Sequence, residues 1–384
     1  LAAFKYSEFI AENVESFLSF LGINATIVGH IPDFFLILPI GISFYTFQSM
    51  SYTIDVYRKN IEPTRNILHF FAYLSMFPQL VAGPIVRASE LLPQLKTYKR
   101  LDDEQIWWSA RCIILGFFKK MFLADNLAVF VDMAYSQHTE TGGMLFWWLI
   151  MLAFAFQIYC DFSGYTDIAR GLAGFMGYRF PHNFLYPYRA ASLREFWGRW
   201  HISLSTWFRD YVYIPLGGSR YGKWHAHRNM WITMLLSGLW HGASWTFLIW
   251  GAIHAFFLSM ERMFHWPKYL AKKKLQWIGI PVVLFQVCLA WAFFRSPDLE
   301  TALQVVHQMF SWNGGLLPGL GIQFSLFLFM AILVMYFPSR ERISRYTRLP
   351  ENTLTAGEPS LYASMLTMSI FLRGPGEEFI YFNF

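Results

Sequence analysis

The stretch that decides the fold reads MWITMLLSGLWHGASWTFLIWGAIHAFFLSM and runs from Met230 to Met260. Its 31 residues are almost all apolar, and about 20 such residues are enough for a helix to cross a bilayer. His241 lies near its middle, and an ionisable side chain at membrane depth is by default a candidate functional group. On a continuous helix, Thr233, Ser237 and Ser244 would share an arc of roughly 80° with this histidine. The stretch therefore predicts a membrane helix that carries one narrow polar stripe.

The composition of the chain indicates a polytopic membrane protein. Of its 384 residues, 55% are hydrophobic and only 15% are charged, whereas soluble domains carry about 25% charged residues. The net charge of +6 does not require a nucleic-acid partner, because Lys and Arg accumulate in the cytoplasmic loops of membrane proteins. The three cysteines lie in apolar segments without metal-ligand spacing, and the sequence contains no P-loop, dinucleotide-binding or zinc-protease motif. We therefore expect no metal site and no bound cofactor.

Other apolar runs alternate with basic loops along the chain. The clearest predicted spans cover residues 144–159 and 275–294, and spans kinked by Pro and Gly are predicted over 34–52 and 67–86. The positive-inside rule assigns to the cytoplasm the basic loops around Arg58, 87–111, 179–228, 262–274 and 340–348. Segments 67–86 and 230–260 would then begin and end on the same side, so each is re-entrant or hairpinned, or one loop departs from the rule. Either alternative implies an internal cavity, because irregular backbone at membrane depth needs protein or water around it.

A second candidate region is EFWGRWHISLSTWFRDYVYIPL, residues 195–216. As one helix it would place His201, Ser205 and Arg209 on one face, with Glu195 and Arg199 as an i, i+4 pair. A helix that is polar nearly all round lines a polar space or lies at a membrane interface. The alternative is an interfacial helix with snorkelling Arg and anchoring Trp side chains.

Two readings of His241 remain open from the residues alone. The unperturbed pKa of histidine is close to neutral pH, which suits a general base. In the alternative, the side chain is structural and joins another helix through Thr233 or Ser237. The other histidines lack a comparable constellation, and His254 lies on a different face of the same segment.

Acidic residues follow the span over 144–159. Asp161 and Asp167 are placed to pair with Arg170 or with Arg199, which would fix helix packing. The other reading is a proton relay at membrane depth. Structural pairing is the favoured interpretation.

Several long motifs together resemble the membrane-bound O-acyltransferase family. In chain order they are ILPIGISFYTFQSMSYTIDVYR, FPQLVAGPIVR, YCDFSGYTDIARGLAGFMGYRFPHNFLYPY, RWHISLSTWFRDYVYIPLGGSR and LLSGLWHGASWTFLIWGAIHA. They are most similar to the bacterial branch formed by the membrane subunit of alginate O-acetyltransferases. The resemblance covers nearly the whole chain and implies an all-α polytopic fold with re-entrant segments around a central tunnel. It implies a single membrane-embedded domain over residues 1–384, and we expect further N-terminal spans before the FKYSEF stretch.

The resemblance also implies an activity and its residues. The family's catalytic histidine in W-H-G corresponds to His241, and a second histidine in R-W-H corresponds to His201. The expected reaction moves an acetyl group from a cytoplasmic acyl thioester, acetyl-CoA by preference, to an exported polysaccharide such as alginate. The expected partner is a periplasmic or extracellular acetyltransferase, and the expected location is the bacterial inner membrane, crossed several times. The residues expected to bind substrate or to line the tunnel are Trp240, Ser237, Ser244, Ser205, Arg199, Arg209 and Asp161.

Other functions remain as alternatives at this point. Related membrane subunits serve peptidoglycan O-acetylation and D-alanylation of teichoic acid. From another class, a transporter would use His241, Asp161 and Asp167 as a proton relay. A transporter is expected to contain two similar halves, and the sequence shows no internal repeat.

Overall fold

The computed structural model describes residues 1–32, 34, 39, 41–80, 83–312, 319–336, 357–376 and 379–380, and over these ranges the regular structure is entirely helical. The helices, in chain order, are α1 (Ala2–Phe20), α2 (Ile42–Tyr57), α3 (Ile67–Leu74), α4 (Phe77–Leu80), α5 (Ala88–Leu95), α6 (Asp103–Phe117), α7 (Asp125–Gln137), α8 (Gly143–Phe175), α9 (Leu193–Trp197), α10 (Ile202–Phe208), α11 (Lys223–His241), α12 (Trp245–Phe264), α13 (Trp266–Lys272), α14 (Gly279–Arg295), α15 (Leu299–Met309), α16 (Ile322–Tyr336) and α17 (Glu358–Phe371). A π-helix, Phe118–Ala124, joins α6 to α7, and a second one, Arg209–Tyr213, continues α10. The predicted all-α class is confirmed.

Among the described residues, three helices are long and apolar enough to cross a membrane. They are Gly143–Phe175, Trp245–Phe264 and Gln276–Arg295, the last of which combines a 3₁₀ turn with α14. The spans predicted over 144–159 and 275–294 are confirmed. The span predicted over 34–52 falls partly outside the described residues, and its helical part begins only after Gly41. The basic stretch 340–348 lies outside the described ranges altogether.

Helix α8 forms the centre of the fold. It is 33 residues long, and in its most apolar window 72% of the residues are buried inside the protein. Helices α6, α7, α14, α15 and α16 all pack against it. A helix segment that is hydrophobic on all sides is buried in a protein core or spans a membrane, and the apolar part of α8 is of this kind.

Buried ion pairs join α8 to the π-helix that follows α6. Lys119 Nζ lies 2.6 Å from Asp167 Oδ2, and Lys120 Nζ lies 2.8 Å from both Asp161 Oδ1 and Asp125 Oδ1. Opposite charges and hydrogen bonds offset part of the cost of removing these groups from water. The pairing predicted between Asp167 and Arg170 is present at 3.5 Å. The partner of Asp161, however, is a lysine rather than either of the arginines that the sequence suggested.

The chain near residue 380 also closes on α8. The backbone N–H of Ile380 donates a hydrogen bond to Asp161 Oδ2 at 3.0 Å. The neighbouring Phe379 packs against Phe162 and Tyr165, with ring centroids 6.0 and 4.8 Å apart. Asp161 therefore joins two distant parts of the chain, besides being a candidate lining residue.

Replacement of Lys120 tests the buried ion pairs. We expect Lys120→Met to lower the free energy of unfolding by about 3 kcal/mol, because Asp125 and Asp161 would lose their common cation. Thermal unfolding of the purified protein in detergent measures this change. The control is Lys268→Met at an exposed position, which should unfold like the wild type. Equal unfolding temperatures for the two variants would contradict a stabilising role of the ion pairs.

Candidate active site

The segment 230–260 is a helical hairpin and not one continuous helix. Helix α11 ends at His241, and Gly242 adopts an extended backbone with φ −166° and ψ 151°. Ser244 then caps α12, since its side chain accepts a hydrogen bond from the N–H of Thr246 at 3.3 Å. The hairpin alternative for this segment is thus what the structure shows. The four-residue polar stripe was wrong in one respect, because the chain turns before Ser244 and only residues up to His241 share the helix.

Two glycines allow the arms of the hairpin to lie against each other. A Cβ atom at Gly238 would lie 2.2 Å from the carbonyl oxygen of Phe247, and one at Gly251 would lie 2.5 Å from that of Met234. Further along, Trp231 Nε1 donates a hydrogen bond to Ser259 Oγ at 3.1 Å. Small residues that let helix backbones approach closely are typical of packed membrane helices. The close packing fixes His241 at the turn between the arms.

Aromatic rings surround the His241 side chain. The residue is 4% exposed, and its ring centroid lies 5.0 Å from Trp250 and 5.2 Å from Phe294. Its chain neighbour Trp240 lies at 5.0 Å on another side. The imidazole is therefore held in a largely apolar enclosure, where interactions of charged and polar groups are strengthened by the low dielectric constant.

The polar stretch 195–216 is also broken, and the break falls at His201. Helix α9 ends at Trp197 and α10 begins at Ile202, so the continuous helix predicted here is wrong. His201 precedes α10 with φ +42° and ψ 55°, a left-handed conformation that a non-glycine residue rarely adopts. Backbone hydrogen bonds to the segment before α9 replace the missing helical ones. Leu185 N–H donates to Arg199 O at 2.9 Å, and Ile202 N–H donates to Asn183 O at 2.9 Å.

Asn183 orients the His201 ring. Asn183 Oδ1 accepts hydrogen bonds from the N–H of Ser203 at 3.1 Å and from its hydroxyl at 2.9 Å, which identifies this atom as the carbonyl oxygen. His201 Nδ1 lies 3.3 Å from the same oxygen and must therefore donate. Burial lowers the pKa of His201 to about 3, so the ring is neutral at pH 7. In this tautomer Nε2 carries the lone pair.

The indole ring of Trp240 packs against the rings of both histidines. Its ring centroid lies 6.2 Å from His201 and 5.0 Å from His241, although these residues are 40 positions apart in the chain. Phe44 and Phe47 of α2 pack against the indole at 5.7 and 5.4 Å. The structure therefore brings His201, His241 and Trp240 together in one site.

The other candidate residues differ in their burial and in their hydrogen-bond and ion-pair partners. Ser237 is buried one helical turn before His241, whereas Ser205 Oγ donates to the carbonyl of Trp200 at 3.1 Å. Arg199 is paired with Glu195 on α9. Arg209 is 60% exposed and paired with Asp210 at 2.7 Å. Asp161 is buried within α8 and paired with Lys120. Ser205, Ser244 and the two arginines hold helix ends or lie towards the surface, and both arginines are already engaged by carboxylates.

Residues 56–295 match the family model described as the membrane-bound O-acyltransferase family. The chain belongs to this family. It is 42% identical over 318 residues to "Probable alginate O-acetylase AlgI" of Pseudomonas putida, which covers 82% of this chain and 62% of the relative. It is 36% identical over 358 residues to a peptidoglycan O-acetyltransferase of Helicobacter pylori, which covers 85% of this chain and 66% of the relative. It is 30% identical over 296 residues to a teichoic acid D-alanyltransferase of Bacillus subtilis, which covers 70% of this chain and 71% of the relative. The chain spans about three fifths of the length of the alginate O-acetylases that it matches.

Three residues of this membrane-bound O-acyltransferase were not singled out by sequence reasoning. Asn183 orients His201, and Phe162 packs on the same ring at 4.6 Å. Lys5 donates hydrogen bonds to the carbonyl oxygens of Trp240 at 2.7 Å and of His241 at 3.0 Å. Asn183 lies within a motif that resembles the family, but neither periodicity nor spacing distinguishes Asn183 or Lys5 from its neighbours.

The close packing of the hairpin predicts the effect of one added methyl group. We expect Gly251→Ala to destabilise the protein by about 1–3 kcal/mol, because the new Cβ would overlap the carbonyl oxygen of Met234. Thermal unfolding in detergent measures the change. The control is Gly29→Ala, where a Cβ meets no atom within 4 Å. A stability of Gly251→Ala equal to that of the control would argue against the hairpin contact.

Proposed function

We propose that this protein is an integral-membrane O-acetyltransferase that moves an acetyl group from a thioester donor to an exported polysaccharide. The proposal is supported by two buried histidines, His201 and His241, whose rings both pack against the ring of Trp240. The sequence family of the chain supports acyl transfer over proton-coupled transport.

The chemistry assigns His241 as the general base. Its neutral imidazole takes the proton from an acceptor hydroxyl while that oxygen attacks the carbonyl carbon of the thioester. The C–O bond forms, the C–S bond breaks, and the proton passes from the imidazolium to the leaving thiolate. General-base catalysis of this kind contributes about 10²–10⁴-fold to a rate. The aromatic enclosure of His241 supports this role because it keeps competing water away.

His201 takes the second role at the site. Its Nε2 lone pair can accept a hydrogen bond from the acceptor hydroxyl, because Nδ1–H is directed to Asn183. The left-handed backbone at His201 is held by several hydrogen bonds, and such retained strain is characteristic of functional positions. We therefore assign to His201 the orientation of the acceptor.

The donor is proposed to be acetyl-CoA, which enters from the cytoplasm. Arg209, 60% exposed, lies in a basic loop that the positive-inside rule assigns to that side. Arg58 and Arg87 lie close by, since Arg58 Nη1 donates to the Asp210 carbonyl at 3.3 Å and Arg87 Nη2 lies 2.9 Å from the Asp210 carboxylate. Guanidinium groups match the geometry of phosphate oxygens, and each of these arginines has further N–H groups besides the one that contacts Asp210, so this cluster is the proposed contact for the phosphates of the donor.

The polymer that finally receives the acetyl group is proposed to be alginate, outside the inner membrane of a bacterium. The relatives at 42% identity that are named as alginate O-acetylases support this choice. A partner acetyltransferase in the periplasm would pass the group to the polymer. Peptidoglycan is the second candidate, supported by the relative from Helicobacter pylori at 36% identity.

Replacement of His241 tests the proposed reaction. The purified protein is given radiolabelled acetyl-CoA and oligosaccharides of alginate or peptidoglycan, and transfer of label to glycan or to an added partner is measured. We expect His241→Ala to reduce transfer about 10²–10⁴-fold, because the acceptor hydroxyl loses its base. The control is His225→Ala at an exposed position. Undiminished transfer by His241→Ala would remove His241 from the mechanism, and no transfer by the wild type to any acceptor would overturn the proposed function.

Replacement of Asn183 tests the orientation of His201. We expect Asn183→Leu to lower kcat about tenfold, since a lost hydrogen bond of about 1–3 kcal/mol leaves the ring free to rotate. The kcat and KM for the acetyl donor are measured together. The control is Asn60→Ala, whose side chain bonds Asp55 at the surface. A kcat equal to that of the control would contradict the assigned orientation.

A further inference from the structure

Helix α11 ends at His241 with carbonyl groups that have no partners within the helix. The last helical hydrogen bond at this end joins Gly242 N–H to Gly238 O at 3.4 Å. The carbonyl groups of the three residues that follow Gly238 lie beyond this bond, and the terminal carbonyls of any helix lack partners within it. In an apolar enclosure, an unsatisfied carbonyl group costs free energy comparable to a lost hydrogen bond.

Two consecutive side chains of α1 satisfy these three carbonyl groups. Tyr6 Oη donates to Leu239 O at 2.9 Å, and Lys5 Nζ donates to Trp240 O at 2.7 Å and to His241 O at 3.0 Å. The helix that carries His241 is therefore completed by residues more than 230 positions earlier in the chain.

The charge of Lys5 suits its position. The C-terminus of a helix carries about half a negative charge from its aligned peptide dipoles, so a cation there is stabilising. The ammonium group also lies 5.9 Å from the centroid of the Trp240 ring, within the range of a cation–π interaction. Lys5 thus contacts the backbone of both Trp240 and His241 and faces the indole that joins the two histidines.

Helix α1 has other anchors, so Lys5 is not needed merely to attach it. Trp245 Nε1 donates to Asn13 Oδ1 at 3.0 Å, and the rings of Phe9 and Trp245 lie 5.9 Å apart. These contacts reach the start of α12, on the other arm of the hairpin. Loss of Lys5 alone would leave α1 attached while freeing the end of α11.

We infer that Lys5 is a positioning residue for acyl transfer, which holds His241 and Trp240 in place by binding the carbonyl end of α11. The inference rests on the proposed function. It deepens that function by placing α1 in the active site. Binding of the donor phosphates, which is assigned to a different region, is not expected to depend on Lys5.

Substitutions of Lys5 separate positioning from simple structural support. We expect Lys5→Met to lower kcat about tenfold while KM for the acetyl donor stays within about twofold, because the base moves but the donor contacts do not. Lys5→Arg retains the charge and the donors and should recover most of the lost kcat. Tyr6→Phe removes one of the three hydrogen bonds and should have a smaller effect. The control is Asn13→Ala, which removes an anchor of α1 away from His241 and should keep the wild-type kcat.

The outcomes distinguish failure of this inference from failure of the proposed function. Thermal unfolding shows which variants are folded, and Lys5→Leu, which also removes both the charge and the hydrogen-bond donors, replaces Lys5→Met if that chain does not fold. A wild-type kcat in the folded Lys5 variant, with His241→Ala inactive beside it, overturns the positioning role alone. Equal losses in Lys5→Met and Asn13→Ala also overturn it, since attachment of α1 would then be sufficient. No transfer by the wild-type protein overturns the proposed function itself.

Discussion

A helix that stops inside an apolar environment exposes carbonyl groups that no longer have partners within it, and this constraint governs the region around His241. The chain turns at Gly242, so that Trp240 and His241 lie at a helix end and not in the middle of a membrane helix. That position is stable only because donors from α1 reach the exposed carbonyl oxygens. The hairpin and its glycine contacts place this helix end inside the protein. Helix α1 then supplies the hydrogen-bond donors that its carbonyl groups require.

Both histidines of the site occupy helix ends. His241 is the last residue of α11, and His201 immediately precedes α10 with a left-handed backbone. At such positions a side chain departs from the regular helical array and can be directed by contacts from elsewhere in the chain. Asn183 supplies those contacts for His201, and Lys5 supplies them for the backbone of His241. The two rings meet at Trp240 because tertiary hydrogen bonds, and not helical periodicity, set their directions.

The sequence predicted the helical class and two of the three spans, because these depend on hydrophobicity. Motifs that resemble a known family drew attention to His201 and His241, which the structure places beside one ring, and their catalytic roles stay a prediction. The polar stripe assumed a continuous helix, and a single glycine at position 242 was enough to end it. The polar stretch 195–216 failed as a helix for a similar reason: hydrogen bonds to Asn183 and Leu185 compensate for those lost in the break. Hydrogen-bond partners separated by 18 or by more than 200 residues leave no periodic trace, so Asn183 and Lys5 were not found. The pairing of Asp161 with Lys120 was not predicted either, since these residues are 41 positions apart and lie in different apolar runs.

The contact between Lys5 and His241 also bears on how the protein is made. Its two residues are 236 positions apart, so the hydrogen bond cannot form until nearly the whole intervening chain has been synthesised. At about 5–20 residues per second, roughly ten to fifty seconds pass between the synthesis of α1 and that of its partner. Over that interval the ammonium group of Lys5 requires water or lipid head groups as its surroundings. Assembly of the site is therefore a late event in biogenesis, in which an early helix must remain free to move until the hairpin has been inserted.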